Sequence, residues 1–112
     1  MNTNEYLEKL RSGVKMNFSD LTNLIDQEYE FLNVAFKNND LINSKEENQG
    51  SAKVFCFGLM HSLSEEDTIR CFGEHYQSVI DDHKNNNSHL NISSFRSNGW
   101  KGVLINQNAL KL

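Results

Sequence analysis

The stretch that most constrains the fold runs from Ala52 to Leu63, apolar almost all round, with Lys53 the main exception. A helix of that kind has no solvent face to offer and belongs at the centre of a domain. Ser51, after Gly50, supplies its N-cap. Gly58 in its interior costs roughly 1 kcal/mol against alanine in helix propensity, which points to close crossing by a neighbouring element. Ser64-Glu65-Glu66-Asp67 then caps a fourth helix, the carboxylates lying where free N–H groups and the helix dipole favour them. The acidic trio is thus explained by capping and is not read as a catalytic cluster. Ile69, Phe72, Tyr76, Val79 and Ile80 follow at helical spacing.

Around this centre the remaining elements are short. Thr3 caps a first helix with Tyr6, Leu7 and Leu10 on one face, and Gly13 stops it. A second helix opens at Ser19 and carries Leu21, Leu24 and Ile25. Phe31 to Phe36 loses that spacing and is predicted as a strand running into a Lys37-Asn38-Asn39 turn. Leu41 to Gln49 and Asp81 to Ser88 are expected as polar surface loops. A fifth helix is predicted from Leu90 to Ser97, with Ile92 and Phe95 buried and Gly99 ending it. Val103–Ile105 and Ala109–Leu112 flank an Asn-Gln-Asn turn, which predicts a C-terminal hairpin pairing with the Phe31–Phe36 strand. The expected architecture is a single α+β domain, residues 1–112, with about five short helices on a small antiparallel sheet.

The 112 residues suffice for a core without metal or disulfide support. Eleven basic against 15 acidic side chains, a net charge of -4, argue against a nucleic-acid footprint and against docking on an anionic membrane. No apolar run reaches the ~18 residues of a membrane span. No secretory leader is recognisable near Met1, and Cys56 and Cys71 fall within predicted helices, so reduced thiols in a cytoplasmic compartment are expected. The asparagine tracts, Asn38-Asn39 and Asn85 to Asn87, read as solvated loops.

The side chains able to carry chemistry are His61, His75, His89, Cys56 and Cys71. Imidazole and thiolate suit zinc or iron, but the paired spacings of established sites are missing. The favoured reading makes both cysteines core thiols and His61 a helix-end histidine. Cys71 and His75 share a helix face, though a nucleophilic thiol would need a lowered pKa. Phosphate-loop and nucleophile-elbow patterns are absent, and Arg70 and Arg96 read as solvated or ion-paired. Trp100, between Gly99 and Gly102, is expected either to close the core or, if exposed, to form a partner hot spot.

Several segments combine into a family pattern: Ala35-Phe36-Lys37-Asn38, Gly50-Ser51, Lys53-Val54-Phe55, Phe57, His61 with Leu63, Phe72-Gly73 with Tyr76, and His89 with Asn91-Ile92, Phe95 and Gly99-Trp100. Over nearly its whole length the chain resembles the HopJ type III effector family of bacterial proteins. Two departures stand out: Ser88 occupies a position often acidic in the family, and Asn98 one that is often histidine. The resemblance implies no catalytic mechanism and, by the family's name, export into a host. A capped helix within the first residues is unlike a flexible export segment. The expectation is a cytoplasmic, non-enzymatic protein that binds a protein or small-molecule partner, a host protein if the chain is exported. The alternative is a metal-binding protein using His61, His75 or His89 for iron or zinc.

Overall fold

The computed structural model describes residues 1–81 and 89–112. Its elements, in chain order, are α1 (Thr3–Arg11), α2 (Phe18–Glu28), β1 (Glu30–Phe31), β2 (Phe36–Asn38), β3 (Leu41–Asn43), α3 (Gln49–Met60), α4 (Glu65–Arg70), α5 (Glu74–Asp81), α6 (Leu90–Asn98), β4 (Val103–Leu104) and β5 (Leu110–Lys111). Gly99–Gly102 and Gln107–Ala109 are 3-10 turns. The α+β architecture expected from the sequence is the one observed, with six helices and two small antiparallel sheets among the described residues.

α3 is the buried centre. Ala52, Val54, Phe55, Cys56 and Phe57 are all fully buried, and each Phe there contributes about 1.5–3 kcal/mol by leaving water. The Phe55 ring meets those of Phe36, Phe72, Phe95 and Trp100 at centroid distances of 5.8, 5.9, 5.2 and 6.1 Å. One side chain thereby ties β2, α4's end, α6 and the following turn to the central helix. Gly58 explains itself here: a Cβ on it would lie 2.9 Å from Cη2 and Cζ2 of Trp100. The indole crosses α3 at that point.

Boundaries differ from expectation where tertiary contacts decide. Asn2 caps α1, its side chain accepting from the Glu5 N–H at 2.8 Å, which frees the Thr3 hydroxyl for another role. α2 begins one residue before Ser19, and Asp20 accepts from the backbone N–H of Asn17. α3 begins at Gln49 rather than after Ser51, with Asn48 in the left-handed region before it. The predicted fourth helix is broken into α4 and α5 at Gly73, φ +57, where the backbone of Asn17 and Phe18 occupies the place of a Cβ. Packing against the α2 entrance overrides the helical periodicity. The polar loop expected from Asp81 begins on the last residue of α5; its remainder, 82–88, including Asn85 to Asn87, lies outside the described residues.

The strands differ most. Phe31–Phe36 is not one strand, because Gln49 bridges Val34 through both its N–H and its carbonyl and holds that stretch out of any ladder. Its ends go to different sheets: β1 pairs with β5, and β2 pairs with β3 and β4. The C-terminal segments therefore form no hairpin with each other. Lys37 and Asn38 belong to β2, and the turn falls at Asn39, φ 56. Leu41–Asn43, expected as loop, is β3. Asn38 is wholly buried rather than solvated. Its amide donates to the Asn91 carbonyl at 2.9 Å; Asn91 in turn donates to Asn43 at 3.0 Å and Asn48 to Asn43 at 2.7 Å. Buried amides link the β2–β3 ribbon to α6.

Candidate functional site

His61 forms the C-terminal cap of α3. Its Nε2 lies 2.9 Å from the Tyr29 hydroxyl, which lies 2.9 Å from Thr3 Oγ1, which donates to Glu28 Oε2 at 2.7 Å. Each hydroxyl brings one hydrogen and the carboxylate only accepts. With Thr3 donating to Glu28, Tyr29 donates to Thr3, and the third hydrogen comes from His61 Nε2. The chain thus selects the Nε2–H tautomer and leaves Nδ1 as the ring's acceptor in neutral imidazole. The Phe57 ring packs at 4.5 Å, and Arg11 donates to the His61 carbonyl. Desolvation, and then the Arg11 charge, hold the imidazole pKa below its ordinary value.

His75, in the first turn of α5, and His89, just before α6, are brought together with ring centroids 4.7 Å apart. The edge of Phe18 meets His75 at 4.9 Å. His61, against Tyr29, Phe57 and Arg11, belongs to a different cluster. Among the described residues no three of His, Cys, Asp or Glu converge as a metal site.

Both cysteines are buried and free. Burial pushes the Cys56 thiol up to about 11 and Cys71 up to about 12, so both are protonated at neutral pH and poor nucleophiles. Cys71 donates to the Asp67 carbonyl, while His75 faces His89. Arg70 is occupied by Asp67, at 2.8 Å, and by the Leu10 carbonyl, at 2.6 Å. Trp100 is half-buried: its indole N–H donates to the Leu63 carbonyl, and its backbone N–H to Glu65. These bonds fix it against Phe55 and Phe95, where it closes the core.

The site that sequence reasoning missed is the outer face of the three-stranded sheet, ordered β3-β2-β4. Lys37 is paired with Ile42 on one side and Leu104 on the other, and residues directly opposite in a ladder share a face. Phe36 and Asn38 point into the core; Lys37 points out between two aliphatic side chains. Ile42 is 81% exposed and Leu104 73%. Together with Ala35, Ile105 and Asn106 they line an open cleft of about 550 Å³. Alternation at Phe36-Lys37-Asn38 was a signal for it, but β3, among polar neighbours, gave none.

Fold and surface together define a small α+β domain with a buried helical axis, one exposed sheet face, and no helix among the described residues long and apolar enough to cross a membrane. The sequence pattern of the HopJ type III effector proteins matches residues 3–110, and the chain belongs to that family. A crystal structure described as that of the unknown function protein VPA0580 superposes with a TM-score of 0.91 at 37% identity, covering 99% of this chain and 93% of that one. No curated protein matches the chain.

Proposed function

We propose that the chain acts as a non-enzymatic binding protein and that the outer face of β3-β2-β4 is its contact surface. Single exposed aliphatics are ordinary on any protein; two of them flanking one lysine in a single cross-strand row are the observation that supports this reading. The chemistry fits a protein segment that offers apolar side chains around a carboxylate. The carboxylate would meet Lys37 while the apolar groups cover Ile42 and Leu104. A second copy of this chain stacked squarely on the face would oppose Lys37 with Lys37, which disfavours self-association there.

The test is an amide chemical-shift titration of 15N-labelled protein with acetyl-Leu-Asp-Leu-amide, and with the Leu-Asn-Leu analogue as control. The expected result is perturbation confined to Lys37, Ile42, Leu104 and their neighbours, stronger for the aspartate peptide and erased by Ile42→Asp/Leu104→Asp. Perturbation elsewhere, or none, would overturn the assignment of this face.

A further inference from the structure

His75 and His89 come from different helices, yet their rings meet with centroids 4.7 Å apart and planes inclined by 37°. His89 stands in the left-handed region, at φ 57, ψ 47, immediately before α6, as Asn48 does before α3. The Phe18 ring also packs on His75, with centroids 4.9 Å apart and planes inclined by 66°.

The spacing can be compared with metal coordination. A metal–nitrogen bond is about 2.0–2.1 Å, and the ring centre lies about 1.1 Å beyond the nitrogen, so two imidazoles on one ion have centres about 4.5 Å apart at a right angle and about 5.1 Å at a tetrahedral angle. The observed 4.7 Å falls between these values. The nearby Glu74 carboxylate already accepts from the Phe18 N–H at 2.7 Å.

We propose that His75 and His89 form a two-imidazole site for a divalent first-row transition ion, with Cu²⁺ held more tightly than Ni²⁺ or Zn²⁺, as nitrogen ligands order them. Water completes the coordination sphere, so the site is open and exchanges its ion readily. It is independent of the sheet face.

The test titrates untagged full-length protein with CuCl₂, followed by isothermal calorimetry and by electron paramagnetic resonance. One Cu²⁺ per chain with a two-nitrogen spectrum is expected. His75→Ala and His89→Ala should each weaken binding by about tenfold or more, and His61→Ala should leave it unchanged. His75→Phe, which keeps an aromatic ring in contact with Phe18 and His89, guards against loss through misfolding and should weaken binding equally. Binding that survives His75→Phe and His89→Ala, that depends on His61, or that is absent would overturn the proposal.

Discussion

Gly58→Ala offers a sharp test of the packing at the centre of the domain. In an unobstructed helix interior this change stabilises by about 1 kcal/mol, because alanine is the better helix former. Here the new methyl would sit 2.9 Å from two indole carbons of Trp100 and 3.0 Å from Thr68 Oγ1. Neither neighbour yields freely. Trp100 is held at both its indole and backbone N–H groups, and the Thr68 hydroxyl donates to the Ser64 carbonyl at 2.7 Å. Overpacking of this kind costs about 1–3 kcal/mol. Set against the propensity gain, the expected net effect is a loss of about 1 kcal/mol, or roughly 4 °C in Tm for a chain of this size. In a Trp100→Phe background the two clashing carbons are gone, so the same alanine should stabilise by up to about 1 kcal/mol. The double-mutant coupling would then approach about 2 kcal/mol. Urea unfolding followed by circular dichroism measures all four proteins. A Gly58→Ala variant that is stabilised in both backgrounds would refute the crossing as described.

Two further outcomes follow from the same geometry. Both His61 and His89 have folded-state pKa values below the unfolded value of about 6.5; the unfolded chain therefore binds more protons in that window, and stability present above about pH 6.5 is lost as pH falls. Urea midpoints should decline from about pH 7.5 to about pH 5, and the decline should shrink in His61→Phe/His89→Phe; an identical slope in that variant would sink the attribution. Asn91→Leu keeps approximate shape but removes the Asn91 side-chain bonds to Asn38 and Asn43, each worth about 0.5–1.5 kcal/mol, so a loss of about 1–3 kcal/mol is expected in urea unfolding, and an unchanged midpoint would show the amide network to be dispensable.

What was legible in the chain was what neighbours in sequence decide. The Ala52–Leu63 run announced its burial and Ser64 its cap, because each depends on residues within a turn or two; Gly58 announced a crossing, though not that Trp100 makes it. The split of Phe31–Phe36 between two sheets depends on Gln49 reaching back to Val34, and the break at Gly73 on the α2 entrance pressing against it. No local pattern carries either. The same holds for the histidines. His61 was readable as a helix-end residue, but the hydrogen-bond chain through Tyr29 and Thr3 joins three separate elements. The meeting of His75 with His89 depends on how α5 and α6 are set against each other, which spacing within one helix cannot express.

The side chains that fasten the strand ribbon to α6, Asn38, Asn43 and Asn91, are buried amides, and none of them ionises. What fastens the strand ribbon to α6 therefore has the same strength at any ionic strength and in any protonation state, unlike a buried ion pair. Charged side chains that are exposed and make no hydrogen bond or ion pair among the described residues, Lys37 included, lie outside that fastening, and substitutions there that change the net -4 have little effect on the frame beneath. Such a chain is free to change its electrostatic appearance toward partners while keeping one architecture, with Lys37 and its two aliphatic neighbours presented on the same sheet throughout.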